Sequence, residues 1–214
     1  MAAGGQRTVR IAPPRYAPQL PEAPPEEAAG REQINRLLHL ACLFVYRYAR
    51  AVSLIEHCAE LIGPDHGIEP ADWQGIALRD AVHSLFHFGK THDALSAALK
   101  SCPTLRASID LTPLRVARKA FDRDFRDLTL LRNAVAHVAD ELSTPARRAK
   151  LQRPGEFLIW EGQVGAHLSM ASNRGRQVQL VVDAGSLARL EATLEAICLV
   201  FAAAPGARWQ HVCG

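Results

Sequence analysis

The feature that most constrains the fold is a long stretch in which apolar residues recur every three or four positions. From about Arg31 to Ile62 this spacing places the apolar side chains on one face of an α-helix. The spacing therefore predicts one long amphipathic helix, which Gly63-Pro64 ends. Because such a helix is stabilised mainly by the packing of its apolar face, the chain must supply partner helices.

Two further stretches with the same spacing predict those partners. The second helix is expected from about Ala71 to Ser101, and Pro103 follows its end. The third begins at Thr112-Pro113, which supplies a hydroxyl at the N-cap and a proline at the first helical position. Its apolar stripe continues to Leu142, and Thr144-Pro145 ends it.

The period of the apolar residues then changes to two, which indicates β-strands. Short strands are predicted at about Phe157–Glu161, Val164–Met170 and Gln177–Val182, with a hairpin turn at Asn173-Arg174-Gly175. A last helix is predicted from about Ser186 to Ala203. The predicted fold is mainly α: an up-down bundle of about four helices, with a small β-hairpin of three short strands inserted before the C-terminal helix.

Composition divides the chain into three parts. Residues 1–30 are rich in proline and alanine and poor in large apolar side chains, so they are predicted to form a disordered N-terminal tail. Residues 31–205 form the helical domain, with the β-hairpin insertion at about 156–183. Residues 206–214 are expected to be a C-terminal tail.

Charge and cysteine content favour a cytoplasmic protein with no membrane partner. The net charge of +3 is too small to indicate a nucleic-acid-binding protein, and it does not argue against one. The five cysteines are an odd number without a C-x-x-C pair, which is typical of a reducing compartment. The longest apolar runs are far shorter than the roughly 20 residues that span a membrane. The sequence has no glycine-rich phosphate loop and no nucleophile elbow, and no cofactor is expected.

Arg132, Asn133 and His137, near the end of the predicted third helix, are the candidate catalytic residues. A guanidinium group binds phosphate in a planar fork, and an imidazole exchanges a proton near neutral pH. Asn133 and His137 are four residues apart on one helix face, so Asn133 is placed to orient His137. Arg132 reaches the same region from the flank on its long side chain. Together these groups are suited to cleave RNA without a metal.

The segment Arg132-Asn133-…-His137 in a helical bundle resembles the R-x4-6-H motif of HEPN domains, in which the residue after the arginine is commonly polar. The resemblance covers about residues 31–203, without the hairpin. It implies a homodimer with a metal-independent endoribonuclease site at the dimer interface, acting in a toxin–antitoxin or anti-phage setting. RNA is then the substrate, and an antitoxin or an activating protein is a possible partner.

The resemblance also implies a role for each residue. Arg132 would stabilise the phosphorane-like transition state, His137 would be the acid or base, and Asn133 would orient it. The implied product carries a 2′,3′-cyclic phosphate. One position departs from the family: Ala139 lies where toxin members often carry tyrosine, so regulation by tyrosine modification is unsupported.

Two other groups of residues have a functional and a structural interpretation. A basic segment follows the third helix and would bind the RNA backbone, or it is a solvated loop; its cations are Arg147, Arg148, Lys150 and Arg153. His83, His87 and His92 lie on the second helix. The spacing of His83 and His87 suits a shared metal ion, but surface or dimer-face histidines fit the surrounding sequence better.

The rival to the ribonuclease hypothesis is a different class of protein. In that interpretation the chain is a catalytically inactive HEPN-like helical module for interaction or nucleotide binding, in which the same residues make structural hydrogen bonds. Geometry separates the two hypotheses, because an enzyme needs Arg132 and His137 to be reachable from solvent.

Overall fold

The computed structural model describes residues 16–61, 69–136, 161–164, 167–171 and 177–212. Within these residues the fold is mainly helical, with short antiparallel strands before the last helix, which confirms the predicted fold class. The helices are α1 (Ala28–Leu61), α2 (Glu69–Ala98), α3 (Pro103–Ser108), α4 (Thr112–Asp124), α5 (Leu128–Ala136) and α6 (Ala184–Ala202). A 3-10 turn, Leu99–Ser101, extends α2 to the predicted end of the second helix.

The two longest helices, α1 and α2, form an antiparallel pair. Near the connection the Gln74 side chain reaches the Ile55 carbonyl, at 3.5 Å, and further along the Phe44 and His87 rings stack with centroids 5.4 Å apart. Helix α6 packs against α1 and α4, and α5 packs against α2. By length and composition α1 is long and apolar enough to cross a membrane, but half of its most apolar window is buried, as in a core helix.

Tyr48, at the middle of α1, joins three parts of the bundle. Its side chain is fully buried, its ring meets Phe125 edge-on at 6.4 Å, and its hydroxyl lies 2.7 Å from Ser186 Oγ. Ser186 Oγ already donates to the Asp183 carbonyl, so we assign Tyr48 as the donor to Ser186. Burial raises the pKa of Tyr48, which keeps the phenol protonated and able to donate.

The prediction of one long third helix was wrong, because the helix is interrupted between α4 and α5. Phe125 ends α4, and Asp127 takes a left-handed backbone conformation with φ 58° before α5 begins at Leu128. Aspartate tolerates this conformation better than most residues. Phe125 and Leu128 are both buried on either side of the break, so the apolar spacing continues across it and conceals it. The predicted helical residues after Ala136 lie outside the described part.

The strands form two small antiparallel sheets. One joins β1 (Tyr16–Gln19) to β5 (Arg208–His211), and the other has the order β2-β3-β4. The members of the second sheet are β2 (Glu161–Val164), β3 (His167–Ala171) and β4 (Gln177–Val181). Strand β4 lies where it was predicted, whereas β3 begins three residues after the predicted start at Val164. Most of the first predicted strand lies outside the described residues.

Part of the segment predicted to be a disordered N-terminal tail is ordered, and the expected C-terminal tail contains a strand. Residues 16–30 contain β1 and the start of α1, and residues 208–211 form β5. The two tail segments pair with each other and thereby satisfy their backbone groups. Leu20 is buried, and its amide donates to Asn35 Oδ1 at 2.8 Å, which ties the segment to α1. Composition alone does not reveal a pairing between distant segments. Residues 1–15 and 213–214 lie outside the described part.

A buried carboxylate before α1 caps the short helix α3. Glu27 accepts hydrogen bonds from the backbone amide and the hydroxyl of Thr104, both at 2.6 Å, and Arg31 Nη2 lies 3.5 Å from the same carboxylate. The α3 N-cap residue, Cys102, makes no side-chain cap bond of its own. Gly30 permits this close approach, because a Cβ there would lie 2.6 Å from Cys102 Sγ.

We expect Glu27 to make folding sensitive to acid. Burial opposes ionisation, but the hydrogen bonds from Thr104 and the charge of Arg31 outweigh it and lower the pKa of Glu27 below its usual value of 4.5. Because the pKa of Glu27 is lower in the folded protein than in the unfolded chain, the ionised carboxylate stabilises the fold at pH values above the unfolded-state pKa. This stabilisation is lost as the pH falls through the folded-state pKa. Glu27→Gln should therefore flatten the acid limb of stability, measured as the urea midpoint against pH.

Glu26→Gln is the matched control, since Glu26 is an exposed neighbour of the same type. Equal acid sensitivity in wild type and Glu27→Gln would contradict the assignment.

Candidate functional site

Helix α5 places Arg132 and Asn133 beside α2. Leu128, Leu131 and Ala134 are buried on the inner face of α5, so the two polar residues lie at its edge. Arg132 is half-buried and Asn133 is exposed, and Arg132 Nη1 donates to Asn133 Oδ1 at 3.2 Å. The structure thus brings two of the three predicted catalytic residues into direct contact.

The guanidinium of Arg132 lies over an aromatic ring of α2. Its central carbon is 5.2 Å from the centroid of Phe86, within the range of a cation–π interaction. Arg132 Nε is closed to solvent and has no hydrogen-bond acceptor among the described residues. A buried donor without a partner is uncommon in folded proteins. The side chain is therefore held by packing, while part of its capacity to donate hydrogen bonds is unused within the described part of the chain.

His83 of α2 lies close enough to Arg132 to feel its charge, although the spacing of the two residues in the sequence does not indicate this. Burial lowers the pKa of the half-buried His83, and the charges of Arg132 and His87 lower it further, whereas Asp80 opposes them. The lowered pKa favours the neutral form of the imidazole, which is the form that accepts a proton. The apolar spacing places His83 on α2 and Arg132 on a later helix, but it does not show which helices pack together.

The third histidine of α2 is separate from this group. His92 is buried, and its Nε2 lies 3.1 Å from the Leu114 carbonyl of α4. In the described ranges no three histidine, cysteine, aspartate or glutamate side chains come together as metal ligands would. His83 and His87 therefore have no third ligand there.

The remaining predicted site residues lie outside the described part of the chain. In the sequence His137 is the residue after Ala136, the last described residue of α5. The basic residues Arg147, Arg148, Lys150 and Arg153 also fall within the range 137–160 that is not described. The roles given to all five stay predictions.

The proximity of Arg132 to His83 has a measurable consequence. Arg132→Gln removes a positive charge that disfavours protonation of His83, so the pKa of His83 should rise. The pKa is measured from the pH dependence of the His83 ring proton shifts by NMR. Arg115→Gln removes an equal charge from α4 and should leave His83 unchanged. A His83 pKa that is the same in wild type and Arg132→Gln would show that the two groups are not neighbours in solution.

Comparisons with known proteins add no family to these observations. The chain has no significant match to any protein-family model, curated protein or solved structure with which it was compared. The HEPN resemblance therefore rests on the motif residues and the helical architecture alone.

Proposed function

We propose that the chain is a metal-independent endoribonuclease of the HEPN type, with Arg132, Asn133 and His137 as its catalytic residues. The observation that carries the proposal is the set of contacts that hold the Arg132 side chain. Its guanidinium packs on the ring of Phe86, its Nη1 donates to Asn133 at an exposed position, and it lies five residues before His137 in the sequence. A positioned guanidinium can stabilise the negative charge that develops on a phosphate, and an imidazole can transfer the proton.

The proposed reaction is an internal transesterification of RNA. The ribose 2′-hydroxyl attacks the adjacent phosphorus and loses its proton to a base, while the 5′-oxygen of the next nucleotide leaves with a proton from an acid. The products are a 2′,3′-cyclic phosphate and a 5′-hydroxyl. Arg132 balances the negative charge on the phosphorane oxygens, and His137 serves one of the two proton transfers. The neutral His83, or His137 of a second copy of the chain, is available for the other.

The proposed enzyme is a homodimer, and an exposed strip of α2 supplies a surface for it. The strip consists of Trp73, Ile76, Asp80, His83 and His87, spaced by three or four residues along one helix face. Trp73 is 51% exposed and Ile76 is 61% exposed, although both are large and apolar. A shallow cavity of about 740 Å³ between α1 and α2 adjoins them.

Charge also suits a two-fold contact at this strip. The cavity is lined by Arg50 of α1 and Asp80 of α2, and a two-fold axis would set the arginine of each copy opposite the aspartate of the other. Because the strip continues to His83 beside Arg132, such a dimer would bring the two candidate sites to one face. This is the arrangement that a composite site requires.

The catalytic proposal predicts RNA cleavage that resists EDTA. Arg132→Ala and His137→Ala should each lower the rate by at least about a hundredfold, since general acid–base catalysis and charge stabilisation each contribute on this order. The products should carry 2′,3′-cyclic ends. The measurement is gel-resolved cleavage of a defined RNA, followed by analysis of its termini.

Arg123→Ala is the matched control, because Arg123 is an exposed arginine that pairs with its neighbour Asp124. A folded dimer that leaves RNA intact, or cleavage that survives both active-site substitutions, would refute the catalytic proposal. The inactive interaction or nucleotide-binding module would then be the better description.

The dimer proposal predicts that a charge at Ile76 dissociates the protein. Ile76→Asp should shift the mass measured by light scattering from dimer to monomer, because it places a carboxylate in the apolar contact. Val116→Asp is the matched control, since Val116 of α4 is also 61% exposed but lies outside the strip. An unchanged dimer in Ile76→Asp would exclude this surface as the interface.

The other parts of the proposal concern partners and location. The basic residues at 147, 148, 150 and 153 would bind the RNA backbone, and a steep salt dependence of RNA binding that is reduced by their removal would support this role. An antitoxin or activating protein, and a cytoplasmic location, are likewise proposed from the resemblance and the composition of the chain.

A further inference from the structure

A concave basic surface lies between the C-terminal part of α2 and the helices α3 and α4. It encloses a cavity of about 440 Å³, and five of the residues that line this cavity are basic, whereas one, Asp93, is acidic. The basic residues belong to the 3-10 turn after α2, to α3 and to α4; they are Lys100, Arg106, Arg115, Arg118 and Lys119. The lining includes no residue of α5, so the basic surface is separate from Arg132.

One of the five cations is neutralised by its neighbours, and four are not. Arg118 lies 3.1 Å from Asp93 and 3.1 Å from Asp122, and it also donates to the Gly89 carbonyl at 2.8 Å. The other four side chains are exposed and form no salt bridge within the described part of the chain; they are Lys100, Arg106, Arg115 and Lys119. Cations of one sign that line a concave surface raise the local potential and attract an anionic partner.

Aliphatic side chains adjoin these cations. Leu111 lines the cavity and is half-buried, and Val116 of α4 is 61% exposed. Val116 lies three residues before Lys119, so the two side chains are neighbours on the surface of the helix. None of the described residues that line the cavity is phenylalanine, tyrosine or tryptophan. Single-stranded nucleic acids are commonly held by bases that stack on such rings, so cations beside aliphatic groups suit an acidic polypeptide better than RNA.

We propose that the basic surface binds an acidic segment of a partner protein, in which glutamates or aspartates alternate with aliphatic residues. The carboxylates would pair with the four unpaired cations, and the arginines among them are suited to bidentate contacts. The aliphatic side chains of the partner would contact Leu111 and Val116. This combination of an apolar contact with a charged surround is common in protein interfaces. The proposal does not depend on Arg132 or on ribonuclease activity.

Fluorescence anisotropy of the full chain with a labelled synthetic peptide tests the proposal. The peptide repeats the unit Leu-Leu-Glu-Glu three times, which places leucines and glutamates on two faces of a helix. We expect Arg115→Gln/Lys119→Gln to weaken its affinity by about tenfold or more, because each residue supplies a charge-assisted contact. Both side chains are exposed, so the variant should fold normally. Arg47→Gln/Arg208→Gln removes two exposed cations elsewhere and should bind like wild type.

Two altered peptides separate the charged contacts from the apolar ones. A peptide with glutamine in place of every glutamate should bind at least about tenfold more weakly, since it loses the ion pairs. A peptide with serine in place of every leucine keeps the charge and should also bind more weakly, since it loses the contacts with Leu111 and Val116. An Arg132→Ala protein should bind the original peptide like wild type.

Four results would overturn the proposal. The first is no binding of the leucine–glutamate peptide at millimolar concentration. The second is equal affinity of this peptide for the Arg115/Lys119 variant and for the control variant. The third is equal affinity of the serine and leucine peptides, which would show a general attraction between charges. The fourth is tighter binding of a single-stranded oligouridine that is lost in the Arg115/Lys119 variant, which would assign the basic surface to RNA.

Discussion

The burial of α1 is the constraint on which the rest of the structure depends. This helix is the longest in the described part of the chain, and it packs against α2, α6 and β1. At its middle the hydroxyl of Tyr48 shares Ser186 Oγ with the backbone of Asp183, so one serine serves both the core and the capping box of α6. Leaving such a buried hydroxyl without its partner costs about 1–3 kcal/mol. The contact between Tyr48 and Ser186 therefore joins the middle of α1 to the first turn of α6.

The apolar spacing predicted the long helices well because each buries one continuous stripe of side chains. It did not predict the break at Asp127, since Phe125 and Leu128 keep their spacing across the left-handed residue. It also missed the pairing of β1 with β5, because the proline-rich segment around Pro18 resembles a disordered tail in composition. Both features depend on contacts between segments that are distant in sequence or on a single backbone angle, and neither leaves a periodic signal.

In the candidate site, too, the sequence predicted some residues, and contacts between helices brought in others. The types and spacing of Arg132 and Asn133 were readable from the sequence, and the structure adds Phe86 and His83 from α2. The break before α5 separates this segment from α4, and the buried face of α5 then sets Arg132 against α2. Helix pairing, which sequence periodicity does not specify, determines the surroundings of Arg132.

The pairing of β1 with β5 has a consequence for the order of folding. These strands stand at the two ends of the described chain, so their contact closes nearly the whole of it into a loop. Closing a long loop costs more entropy than closing a short one, whereas the antiparallel α1–α2 pair needs only a short connection. Helical hairpins form early by this argument, and the terminal sheet forms once the core has brought its strands together. Formation of the terminal sheet then marks the completion of folding.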